Sequence, residues 1–106
     1  MPEKPNLTYI KELAGDDSDF EQKFIDILKN EFPEEMAIYM SHIQNNEPRA
    51  AAEIVHKLKH KFNILSMEEA YKVAVEYEEE LRAGRTETHH RFQRILYTIK
   101  DFLNTI

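Results

Sequence analysis

His56, Lys59 and His60 stand close together in Ala52-Glu53-Ile54-Val55-His56-Lys57-Leu58-Lys59-His60-Lys61-Phe62. At helical period, about 100° per residue, Ala51, Ile54, Val55, Leu58, Phe62 and Leu65 gather on one side of this stretch. His56 points about 150° away from the centre of that stripe, toward solvent. Ala52, Lys59, His60 and Asn63 occupy the i−4, i+3, i+4 and i+7 positions that neighbour it on a helix surface. A neutral imidazole is a competent nucleophile near pH 7. With a lysine one turn on and a small residue one turn back, His56 reads as an accessible nucleophile with a cation beside it.

The same residues permit a second chemistry. His56 and His60 have the i, i+4 spacing of helical zinc ligands, and Glu53 lies one turn before His56 as a possible third. A closed structural zinc site takes four ligands, and the chain has no cysteine to supply one. The zero cysteine count also excludes a disulfide framework and a cysteine nucleophile. Only Gly15 and Gly84 are glycines, so no glycine-rich loop cradles a nucleotide and autokinase activity is not expected.

Charge narrows the partners. The net charge of −6 argues against general nucleic-acid binding, which needs a basic surface. Lys57, Lys59, Lys61 and His60 nevertheless cluster around His56, while the acidic run Glu76, Glu78, Glu79, Glu80 is read as lying elsewhere. A local basic patch on an acidic chain suits a phosphoryl group or a small anionic surface. No apolar run is long enough to span a membrane, and Met1-Pro2-Glu3-Lys4-Pro5-Asn6 lacks the apolar stretch of a signal peptide. The expectation is a cytoplasmic, soluble, monomeric protein with no membrane partner.

The elements that must position His56 are helices. Leu7, Ile10 and Leu13 mark a short one, stopped by Gly15 and expected to lie as a lid across the others. Ser18-Asp19-Phe20-Glu21 fits a capping box for the next. Its stripe runs from Phe20 through Phe24, Ile27, Leu28, Phe32, Met36, Tyr39, Met40 and Ile43. Pro33 predicts either a kinked helix to about residue 45 or two collinear ones. Asn45-Asn46-Glu47-Pro48 is a turn into the His56 helix, which ends near Leu65. Ser66-Met67-Glu68-Glu69 reads as a second capping box, followed by a stripe to Leu81 and a stop at Gly84. Thr86 or Thr88 caps the last helix, with Phe92, Ile95, Leu96, Ile99, Phe102, Leu103 and Ile106 on its apolar face. Tyr39, Tyr71, Tyr77 and Tyr97 read as core-edge aromatics. No segment alternates as a strand does. The fold expected over 1–106, one domain, is an all-α, antiparallel, up-and-down four-helix bundle with a short N-terminal helix packed across it.

In this setting His56-Lys57-Leu58-Lys59-His60, followed by Phe62, Ile64 and Leu65, resembles the histidine-containing phosphotransfer (HPt) family. That family's core pattern is a His, any residue, a Leu, a Lys and a small residue, followed by a second apolar section. The resemblance extends over nearly the whole chain. It implies that His56 takes a phosphoryl group from a receiver-domain aspartyl phosphate and passes it to another receiver, with Lys59 beside the group. Partners would be receiver domains of response regulators and hybrid histidine kinases, which carry the Mg²⁺; the chain itself needs no cofactor. The docking face would comprise Ala52, Lys57, His60, Lys61 and Asn63. The chain departs from the pattern at His60, where a small residue is usual, and at Ser66, where glycine is common. A receiver-binding module without transfer is the alternative that His60 favours, beside the His56/His60 metal reading.

Overall fold

A computed structural model describes residues 3–106; Met1 and Pro2, part of the segment read for a leader, lie outside the described residues. Five α-helices, and no strand, occur among the described residues: α1 Thr8–Ala14, α2 Ser18–Gln44, α3 Pro48–Ile64, α4 Glu68–Arg82 and α5 His89–Leu103. None is long and apolar enough to cross a membrane. α3 packs most extensively on α4 and next on α2. α5 touches both α2 and α4, and α1 leans on α2. The compact helical bundle encloses one core of buried side chains.

The helix ends correct the sequence reading in three places; at α5, Thr88 holds the N-cap position but its hydroxyl donates to Glu80 at 2.7 Å and caps no helix amide. Asp17, not Ser18, caps α2: its Oδ1 accepts from the Phe20 N–H at 3.0 Å. Ser66 does not cap α4. It sits in the left-handed region with φ +63°, one residue past the C-cap of α3. The Ser66 N–H donates to the Asn63 carbonyl at 3.1 Å and the Met67 N–H to Phe62 at 2.9 Å. This pair of bonds is a Schellman ending, and it uses the place where glycine fits best. The same pairing closes α2 through Asn46, φ 57°, and α4 through Gly84, φ 83°. Glu3 supplies the missing cap: its two carboxylate oxygens accept from the Glu69 and Ala70 N–H groups at 2.9 and 3.0 Å. A negative charge there also complements the α4 dipole. Since Ser66 carries the cost of a left-handed L-residue, Ser66→Gly is expected to raise stability by about 0.5–1 kcal/mol after the entropy of the more flexible unfolded chain. A denaturant melt reads this directly; an unchanged or lower midpoint would count against it.

α2 is one continuous helix through Pro33. Pro33 is exposed, so water can serve the carbonyl that its missing N–H leaves free. Of the expected α1 stripe only Ile10 is buried, and Leu13 is half exposed.

Tyr39 and Tyr77 lie at the centre of the core, not its edge, both fully buried against Phe92. Their hydroxyls meet at 2.6 Å, and the Tyr39 hydroxyl also reaches His89 Nδ1 at 2.7 Å. Burial, reinforced by the nearby His90, holds the His89 imidazole below its ordinary pKa. A histidine whose folded pKa lies below its unfolded value stabilises the fold above the unfolded pKa, near 6.5, and loses that contribution as pH falls. The melting temperature should therefore drop between pH 7.5 and 5.5, and drop less in His89→Gln, which keeps an acceptor for Tyr39. Equal drops in both proteins would remove His89 as the cause.

Candidate functional site

The site lies where the middle of α3 faces the C-terminal half of α4. Both helices bury small residues in the core, Ala51 and Ala52 on α3 and Ala70 and Ala74 on α4.

His56 projects from α3 with 51% of its side chain exposed. Its Nδ1 faces the Glu78 carboxylate on α4, 3.2 Å from each oxygen. Glu78 is nearly buried, with 12% of its side chain exposed. Lys59 Nζ donates to Glu78 Oε1 at 2.9 Å, and Arg82 Nη2 to Oε2 at 2.9 Å. Arg82 Nη1 also donates to Glu53 at 3.2 Å. Burial alone would raise the Glu78 pKa; hydrogen bonds from Lys59, Arg82 and His56 overcome it and hold the carboxyl down at about 2. Glu78 is therefore an ionised, acceptor-only group at neutral pH.

That state fixes the neutral ring's tautomer. Facing a carboxylate, Nδ1 carries the hydrogen and donates it, so Nε2 carries the lone pair. The arrangement leaves the nucleophilic nitrogen as the one not engaged by Glu78. It is the geometry of a base oriented by a third group, with two cations close by to offset arriving negative charge.

The other residues singled out in the sequence fall into two groups. Lys57, His60 and Asn63 are exposed on the α3 surface. The His60 ring stands edge-on to His56, centroids 5.1 Å apart at 88°. Two others are not at the surface. Ala52 is fully buried in the core, although helical spacing alone leaves that side of α3 open. Lys61 is buried and turned toward α2, with Nζ 3.0 Å from Glu31 and 2.9 Å from Glu35. The basic patch is thus smaller than the sequence suggests. Lys57 remains exposed, Lys59 is 13% exposed and paired with Glu78, and Lys61 belongs to a separate ion-pair cluster.

Glu78 and Arg82 are the site residues that sequence reasoning missed. Sequence position sets the acidic run apart from His56, yet one of its members, Glu78, lies directly against the imidazole. The signal was present: Glu78 sits four residues after Ala74 and three before Leu81, at the edge of an apolar stripe, with Arg82 at i+4. Among the described residues no three His, Cys, Asp or Glu side chains gather as a metal-holding group. Glu53, considered as a third ligand, is engaged by Arg82. Compared with protein-family models, with curated proteins and with solved structures, the chain matches none.

Proposed function

We propose that this chain is a histidine phosphotransfer carrier in a phosphorelay. In this reading α2 to α5 form an antiparallel, up-and-down four-helix bundle with α1 packed across it. The protein works in the cytoplasm as a monomer, a stoichiometric carrier and not an autokinase. The observation that carries the reading is the half-exposed His56 imidazole whose Nδ1 is held by a nearly buried carboxylate, with Lys59 at the same carboxylate.

The Nε2 lone pair attacks phosphorus in a receiver's aspartyl phosphate. The N–P bond forms, the acyl P–O bond breaks, and its electron pair leaves with the aspartate carboxylate. A second receiver reverses the sequence, its aspartate oxygen taking phosphorus from Nε2. Phosphoryl transfer asks the protein mainly to position the group and offset charge on its oxygens. Glu78 orients the ring; Lys59 and Arg82 are the nearby cations. The receivers bring their own acidic pocket and Mg²⁺. Lys57, His60 and Asn63 form the docking surface beside His56.

Incubation with a phosphorylated receiver domain tests this. The chain should gain an acid-labile, base-stable phosphate on His56 and surrender it to a second receiver. Binding of the receiver without transfer would instead favour an interaction module. The edge-on His60, where the resembled family carries a small residue, is what favours that second reading.

A further inference from the structure

We propose that Glu78 makes phospho-His56 a short-lived, readily discharged species by keeping the proton on Nδ1 after Nε2 is phosphorylated. This rests on the reading of His56 as a phosphoryl acceptor, and it adds a positioning residue that sets the carrier's lifetime.

The chemistry follows from the tautomer. Before transfer the neutral ring carries one proton, on Nδ1, facing Glu78 at 3.2 Å. When Nε2 forms its bond to phosphorus, that proton stays and the ring becomes a cation. If Nδ1 then lost the proton, breaking the N–P bond would expel an imidazolate anion, a poor leaving group. If Nδ1 keeps it, an incoming oxygen forms its bond to phosphorus while the N–P electron pair returns to Nε2. The ring then leaves as neutral imidazole, already in its starting tautomer. A nearby negative charge favours the protonated ring.

Charges facing His56 come from both helices. On α3 they are Glu53, Lys57, Lys59 and His60; on α4 they are Glu78 and Arg82. Lys59 and Arg82 oppose retention of the proton, but both are bound to Glu78 itself, and Arg82 is shared with Glu53. Of these charged groups, Glu78 is the one hydrogen-bonded to the imidazole Nδ1. Interaction energy falls with distance, so this contact outweighs the more remote charges. The phosphoryl oxygens add further negative charge beside the ring and act in the same direction.

The test uses the full chain and phosphoramidate, a small donor that needs no receiver. The phospho-His56 signal in ³¹P NMR is identified by its loss in His56→Gln. Its hydrolysis is then followed against pH in the wild type and in Glu78→Gln, which keeps shape and a hydrogen-bonding group but not the charge. Hydrolysis should slow as the ring loses its proton, with the wild-type midpoint roughly one pH unit above that of the variant. At pH values above both midpoints the wild type should then discharge about 10-fold faster. Nitrogen shifts of the phosphorylated wild type give a reading that needs no variant: Nδ1 should be protonated at neutral pH. Coincident pH profiles, or an unprotonated Nδ1, would overturn the role of Glu78 and leave the acceptor reading standing. Absence of any His56-dependent signal would overturn both.

Discussion

His56→Gln is expected to abolish phosphate acceptance while leaving the melting temperature nearly unchanged. The ring is half exposed, so few packing contacts are lost, and a glutamine amide can still donate to Glu78. What disappears is the nucleophilic Nε2. His60 lies on the same helix and is also exposed, so exposure does not choose between the two histidines. Their surroundings do. His56 has an ionised carboxylate at Nδ1 that orients it, and Lys59 and Arg82 at that same carboxylate. The residue three on from His60 is Asn63, which carries no charge. A phosphoryl group brings roughly two negative charges at neutral pH, so the cations favour His56. His60→Gly should retain transfer, at a rate equal to or above the wild type, because it clears the approach to His56. Glycine inside a helix costs about 1 kcal/mol, so His60→Ala serves as the control for stability. Transfer that survives in His56→Gln and is lost in His60→Gly would move the acceptor by one helical turn.

The largest effect on stability is expected from Lys61→Ala. Sequence spacing puts Lys61 in the basic cluster around His56, but its ammonium is buried between Glu31 and Glu35. Desolvation works against its charge, and the two carboxylates overcome this and hold its pKa above the ordinary value. Glu35 is 14% exposed, and its Oε1 has no hydrogen-bond partner. Removing Lys61 therefore leaves a nearly buried carboxylate without its cation. Breaking a buried pair from one side costs about 3–5 kcal/mol, and the half-exposed Glu31 places this case near the lower end. For a domain of this size the melting temperature should fall on the order of 10–15 °C. Replacing both partners, Lys61→Met with Glu35→Met, should recover most of the loss, since a well-packed apolar pair has no desolvation cost. A single-variant loss below about 1 kcal/mol would show that water reaches Glu35. Phosphate acceptance should persist in the double variant, because Lys61 faces α2 and not His56.

These two lysines show where the sequence was legible and where it was not. Helical spacing located the helices well, because the period of apolar residues is a local property of the chain. It also placed His56 correctly on the solvent side of α3. It failed for Lys59, Lys61 and Ala52, because a helical wheel knows one helix at a time. Whether a residue at the stripe's edge meets water or a neighbouring helix depends on how close that neighbour comes. Here the fold buries Ala52, α4 brings Glu78 to Lys59, and α2 brings Glu31 and Glu35 to Lys61. The place of Glu78 against His56 was hidden for the same reason: its two partners on α3 are 19 and 22 positions away in sequence. The caps failed differently. Ser66 has the right residue type for an N-cap, but the backbone already used it to end α3. The α4 cap came from Glu3, 66 positions away from the amide it serves.

The burial pattern along α2 divides that helix into two parts with different lives in solution. Its first buried residue is Ile25, so the turns from Ser18 onward bring no side chain fully into the core. Phe20 and Ile27 remain substantially exposed there. From Leu28 to Tyr39 the helix is anchored by Leu28, Phe32, Met36 and Tyr39. The turns before Phe24 can unwind and rewind at small free-energy cost, whereas opening the helix from there onward means dismantling buried packing. The groups that hold the His56 ring and its carboxylate, Glu78, Lys59 and Arg82, lie on α3 and α4 and not on α2. Breathing at the free end of α2 is therefore decoupled from the imidazole: that end can fray, or be held by another molecule, without disturbing the hydrogen bond that aims Nε2.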